Sequence, residues 1–232
     1  MTQNASDTTG APGAPPQGKR AQAIAERRRR LVKAASELIA ERDEGAFSMP
    51  ELAARAGLSL ATPYNLFGSK AAVLGEVFAR QVRGFHRDNG WMEEADPVAR
   101  ILGVVDRLVA AYAREPRFFR NLWKAFHTLS PGEHHQMGVP GGGHLLAPLV
   151  HSLAASGALI ADVPPALVEI TLIRLFEANF EQWALQGWDI DQLRAGLQAS
   201  FALVFLGLLD TPCRAPLEAT IRAAAPVLAP PQ

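Results

Sequence analysis

Residues 48–67 read SMPELAARAGLSLATPYNLF. Ser48-Met49-Pro50-Glu51 is a capping box, in which the serine oxygen and the glutamate carboxylate each satisfy one free backbone N–H of a helix start. Pro50 falls in the first turn, where a missing N–H costs nothing. Gly57 can take the left-handed conformation that ends a helix, and Ser59 can cap a new helix over Leu60–Phe67. Leu52, Ala53, Ala56 and Leu58 supply the apolar contact between two short helices, and the alanines let them approach closely. Two short helices around a tight glycine turn are helix–turn–helix geometry, in which the second helix enters a DNA major groove.

Working outward, Leu31, Ala34, Ala35, Leu38 and Ile39 recur at helical spacing, so a first helix is predicted over 21–42, with Gly45 ending the segment. Gly68 breaks the chain after Phe67, and Ser69 caps a fourth helix over 70–88. Longer helices are predicted at 97–114, 117–129, 144–156, 164–186 and 189–210, with a short one near 216–224. Breaks fall at Glu115-Pro116, at Ser130-Pro131-Gly132 and at Asp162-Val163-Pro164-Pro165. Residues 1–18 are rich in Gly, Ala, Pro and Thr and read as a disordered tail. Alternating β-branched runs are absent from the sequence. The fold expected is all-α: a helix–turn–helix DNA-binding domain over 19–70 and a larger helical domain for ligand binding and dimerisation over 71–232.

The chain has 232 residues, and Lys plus Arg balances Asp plus Glu at 23 each. That balance hides an asymmetry. Residues 1–90 carry 13 basic against 9 acidic residues, and residues 91–232 carry 10 against 14. A basic amino end on an acidic body is the charge outline of a nucleic-acid binder whose remainder has another task. The single cysteine, Cys213, excludes an internal disulfide. No apolar run is long enough to span a bilayer, and no apolar stretch follows a basic start, so neither a membrane partner nor a signal peptide is expected. A cytoplasmic location is expected.

The stretch from Arg28 to Phe85 resembles the DNA-binding end of the tetracycline-repressor (TetR) family. Ala34-Ala35, the Gly45/Phe47 turn, Ser48, Ala56-Gly57-Leu58-Ser59, Tyr64, Phe67 and Lys70 carry the resemblance. The family usually has Gly and an aliphatic residue around the recognition-helix threonine, where this chain has Ala61-Thr62-Pro63. The resemblance implies a homodimeric regulator, most simply a repressor, released from a palindromic DNA operator by a small effector. Leu60, Ala61 and Thr62 are small enough or apolar enough to approach base edges, Asn65 can read adenine, and Pro63 shapes the helix start. Tyr64 and Lys70 are expected on phosphates, together with Arg28 and the helix starts at Ser48, Ser59 and Ser69. Phe67 is expected beneath the recognition helix.

A single helix–turn–helix reads one half-site, so a two-fold dimer is expected. The last two long helices are apolar on more than one face. Ile173, Phe180 and Trp183 on the first, with Leu193, Leu197, Ser200, Val204 and Leu208 on the second, are the expected interface. For the effector, the expected liners are Leu108, Tyr112, Phe119, Trp123, Phe126, His127, Met137, Leu146, Leu149 and Phe176, a mostly apolar set. Aromatics at helical spacing are more often plain core, and that alternative stays open.

His127, His134, His135, His144 and His151 are loosely spaced, with only Glu133 as a neighbouring carboxylate, so no metal and no cofactor is expected. Phosphate-loop, dinucleotide, nucleophile-elbow and zinc-protease patterns are missing, so the chain is not expected to be an enzyme. The competing readings are a non-specific architectural DNA binder and a metal-dependent helical enzyme using the His-rich segment.

Overall fold

The computed structural model describes residues 17–42, 47–86, 94–130, 132–133, 143–160 and 162–229. The expectations for residues 1–16, Gly45, His134, His135 and Met137 lie outside the described residues, as does the side chain of His144. The described residues form α1 (Gln17–Glu41), α2 (Met49–Arg55), α3 (Ala61–Phe67), α4 (Lys70–His86), α5 (Pro97–Arg114) and α6 (Pro116–His127). They continue with α7 (Gly143–Ala155), α8 (Pro165–Leu185), α9 (Ile190–Leu206) and α10 (Arg214–Leu228). Among the described residues the only β pairing is an isolated antiparallel bridge between Leu159 and Leu209.

The all-α expectation holds, and most boundaries fall within a few residues of the predicted ones. α1 begins at Gln17 instead of Ala21. Good helix formers continue upstream of the buried stripe, and nothing there stops propagation. Its five predicted core residues are all buried, while Gly18–Arg27 is exposed. The last helix is longer than predicted, reaching Leu228 with Pro226 inside it. It lies along α9 and buries Leu217 and Ala224.

Polar side chains fix several helix starts and crossings. Asp96 accepts from the Val98 and Ala99 amides and starts α5, and Asp189 with Gln192 forms a capping box on α9. Buried Arg100 donates to the Glu94 carbonyl and to Ser152 Oγ at 2.9 Å each, tying α5 to α7. At the other end of the body, α6 closes the carboxy end of α1. Arg117 and Asn121, one turn apart, donate to the carbonyls of Glu41 and Ile39. Carbonyls in a last helical turn have no partner within their own helix, so α6 supplies one.

The body is centred on an aromatic cluster from α5, α6 and α8. Tyr112 stacks on Phe119 with centroids 4.2 Å apart and lies 4.5 Å from Phe180. Trp123 stacks on Phe180 at 5.1 Å, and Trp183 stands edge-on to Tyr112 at 6.0 Å. Edge and offset contacts of this kind add to the area these large rings remove from water.

Candidate nucleic-acid interface

α2 and α3 are placed by the devices visible in the sequence. Ser48 Oγ accepts from the Glu51 amide at 3.3 Å, and the Ser48 amide donates to the Glu51 carboxylate at 2.8 Å. Arg42 adds a second clamp, with its guanidinium 2.7 Å from Glu51 Oε1. That hydrogen bond, with the Ser48 bonds, pulls the Glu51 carboxyl down to about 2. Arg55 pairs with Glu41 at 2.6 Å and lowers that carboxyl as well. Gly57 takes φ +62° in the turn, and a Cβ there would lie 3.1 Å from Arg30 Nη2. Only glycine accepts that backbone without strain.

α3 presents one face outward. Leu60 is 63% exposed and Tyr64 51% exposed, with Ser59, Ala61 and Asn65 also exposed. Thr62 is half-buried, and its hydroxyl lies 2.8 Å from Ser59 Oγ. This corrects the expected cap: Ser59 binds the Thr62 side chain, and Leu60 occupies the cap position with no side-chain bond. Pro63 is corrected too. It is buried on the inner face of α3, so it acts by packing and makes no contact with a groove itself. Phe67 is half-buried and packs against the core as expected.

Around α3, Ser48 is exposed, and Ser69 caps α4 by accepting from the Ala72 amide at 3.2 Å. Lys70 is half-buried with Nζ 5.3 Å from the Phe47 ring centre, and burial lowers its pKa. Arg28 is engaged within the fold. It donates to the Leu66 carbonyl at 2.7 Å, and its guanidinium lies 4.3 Å over the Phe67 ring. Arg30 donates to the carbonyls of Ala56 and Gly57. Sequence reasoning missed this structural use of the arginine run, because nothing in a run of like charges says which members turn inward.

The expected effector liners divide. Leu108, Tyr112 and Phe119 line a cleft of about 710 Å³ bounded by α1, α4, α5 and α6. Trp123, Leu146, Leu149 and Phe176 are buried in the core, Phe126 is half-buried against Trp123, and His127 is exposed. The aromatics pack on one another, which removes the space they were expected to enclose. The cleft owes its other walls to Lys33, Ser36, Glu37 and Ala40 of α1 and to residues 78–85 of α4. The available signal was the i, i+3, i+4, i+7 spacing of those α1 residues beside the apolar stripe.

The expected dimer residues divide in the same way. Phe180, Trp183, Leu193 and Leu197 are fully buried in the chain's own core, whereas Ile173, Ser200, Val204 and Leu208 are half-buried. The outward apolar residues are Leu167 and Ile170 on α8 and Leu203 on α9, each more than half exposed. Both helices carry several apolar stripes, and the bulkier one went inward, where it removes more area from water.

Residues 31–77 match the family model "Bacterial regulatory proteins, tetR family". No curated protein sequence matches the chain significantly. Among solved structures, the chain is similar to a TetR transcriptional regulator from Rhodococcus sp. RHA1, with TM-score 0.60 and 20% identity over 80% of this chain and 98% of that one. It is also similar to Thermus thermophilus FadR, a TetR-family repressor in complex with lauroyl-CoA, with TM-score 0.61 and 24% identity over 79% and 95% of the two chains. A third is Bacillus subtilis FadR in complex with stearoyl-CoA, with TM-score 0.57 and 17% identity over 76% and 96%. Residues 31–77 thus carry the sequence of the tetR-family amino-terminal segment, and the chain as a whole has the fold of the solved TetR regulators.

Proposed function

We propose that the protein is a homodimeric repressor that holds a palindromic operator with α3 of each copy and releases it when a small effector binds. The observation that carries this reading is the outward face of α3, where Leu60, Ala61, Tyr64 and Asn65 stand in solvent while Pro63 anchors the opposite side. Leu60 at the cap of this helix and Tyr64 within it leave a large apolar and an aromatic side chain open to a partner surface. A groove edge and a phosphate row suit Leu60, Asn65 and Tyr64. Ser48, Ser59, Thr62, Ser69 and Lys70 are the further contacts proposed.

The division proposed is 19–70 for DNA and 71–232 for the effector and the partner copy, with α4 running across it. A dimer would place two copies of α3 about one DNA turn apart, roughly 34 Å. Effector control is supported by the cleft against α4 and by the Asn121 and Arg117 bonds from the body to the end of α1. The complexes of the two FadR proteins with acyl-CoA support a ligand-responsive body in this fold. An effector must bind the DNA-free spacing more tightly, or it shifts nothing. The protein acts by binding and not by catalysis, in the cytoplasm; among the described residues no helix is long and apolar enough to cross a membrane.

Selection of bound sequences from a random DNA pool with the full-length chain tests the reading. A symmetric consensus, lost with Tyr64→Ala, is expected. Retention of random DNA with no consensus would establish the architectural reading instead.

A further inference from the structure

We propose that the cleft between α1, α4, α5 and α6 binds an organic anion with an aryl or alkyl body. This deepens the ligand-responsive reading given above and rests on it. Four helices each contribute one face to the cleft, whose volume of about 710 Å³ is in the range that small-molecule sites occupy. Its apolar floor is aromatic: Phe78, Phe118, Phe119 and Tyr112, with Leu108 beside them. Burial pushes the Tyr112 hydroxyl above its ordinary range, so the floor adds no negative charge.

The rim is cationic. Lys33, Arg80, Arg107 and Arg114 line it against Glu37 and Glu115. Lys33 and Glu37 pair with each other at 3.8 Å, and Glu37 is also shared with Arg55. The excess therefore falls on Arg80 and Arg114, which are exposed and form no ion pair with another described residue. Arg80 also borders a second hollow, of about 520 Å³ between α1 and α4, rimmed by Arg28, Arg29 and Arg83 with Glu76. Positive potential thus extends along α1 and α4 and would be focused by the low-dielectric floor. A guanidinium favours carboxylate, sulfonate or phosphate through paired N–H donors, and the ring floor accepts the apolar remainder. A neutral apolar molecule would gain nothing from the rim, and an inorganic anion would leave the floor wet.

Position gives the ligand leverage. α4 walls the cleft at residues 78–85 and starts at Lys70 beside α3. The two regions lie about 12 to 22 Å apart along one helix, at roughly 1.5 Å per residue. A body wedged between α4 and α5 would move the recognition end of α4 as a rigid lever.

The test uses DNA-free full-length protein and two fluorescent probes with the same aromatic body. Anilinonaphthalene sulfonate carries the anion, and N-phenylnaphthylamine lacks it. Saturable sulfonate binding about tenfold tighter than that of the neutral probe is expected, the scale of one charge-assisted hydrogen bond. The double variant Arg80→Gln/Arg114→Gln should lose that advantage and leave neutral-probe binding unchanged. Both side chains are solvent-exposed, so an unchanged melting temperature is expected and confirms an intact fold. Failure of the sulfonate to bind, equal binding of both probes, or undiminished sulfonate binding by the variant overturns the proposal. Because DNA is absent from the assay, a failed operator selection leaves this result readable, and the reverse holds too.

Discussion

The side-chain amide of Asn121 donates to the main-chain carbonyl of Ile39 at 3.0 Å, and both groups are shut off from water. This bond joins the body to the end of the helix that carries the DNA-binding core. Replacing Asn121 by Ala leaves a buried carbonyl without its donor, at a cost of about 1–3 kcal/mol. Urea unfolding measures it. An Asn121→Ala variant as stable as the parent would show that the carbonyl finds another donor.

Arg28 and Arg30 hold the helix–turn–helix together, whereas Tyr64 does not. Arg30→Ala removes donors from the Ala56 and Gly57 carbonyls, and Arg28→Ala removes the bond to Leu66 and the contact with Phe67. Each should lower stability by about 1–2 kcal/mol. Tyr64→Ala, on an exposed position, should stay within about 0.5 kcal/mol of the parent while weakening DNA binding. Thermal melts alongside a gel-shift titration separate the two behaviours.

Gly196 of α9 faces Asn179 of α8 and the Trp188 ring with no room for a side chain. A Cβ there would lie 2.2 Å from Asn179 Oδ1 and 2.6 Å from Trp188 Cζ3. Gly196→Ala should therefore cost about 1–3 kcal/mol by overpacking. Gly207→Ala is the control, since nothing lies within 4 Å of its Cβ position. That variant should be neutral or slightly stabilising. Equal melting temperatures for the two variants would remove the close-approach argument.

Leu167, Ile170 and Leu203 form the outward apolar surface of the last long helices. If a second copy covers them, Ile170→Asp should convert the dimer to a monomer in sedimentation analysis, without loss of helicity. Trp183→Ala should behave differently. It opens a cavity in the chain's own core and should cost about 3–5 kcal/mol. A parent protein that sediments as a monomer would end the dimer reading.

Acid should loosen the recognition domain through Glu51. Its carboxyl titrates at about 2 in the folded protein because of the Arg42 and Ser48 bonds, against roughly 4.3 for a free glutamate. A depressed folded pKa gives stability that is complete above the unfolded value and is lost as pH falls toward 2. Melting temperatures of the parent and of Glu51→Gln should therefore converge as the pH is lowered through that window. A gap that stays constant with pH would show that the ion pair adds nothing.

The sequence by itself determined the local grammar. The capping box at Ser48, the positive-φ turn at Gly57 and the buried stripe from Leu31 to Ile39 each depend on neighbours a few residues away, so spacing alone reveals them. The outward stance of Tyr64 and Asn65 follows from the same short-range periodicity. Tertiary structure decided everything that required a choice among equivalent surfaces. Trp183 and Ile170 both sit on apolar stripes of α8, and only packing against α5, α6 and α9 sends the larger ring inward. Arg28 turns to Leu66 while Arg80 faces the cleft, although both are arginines on amphipathic helices. Side-chain chemistry states what a residue can bind, and the relative placement of distant helices states what it meets.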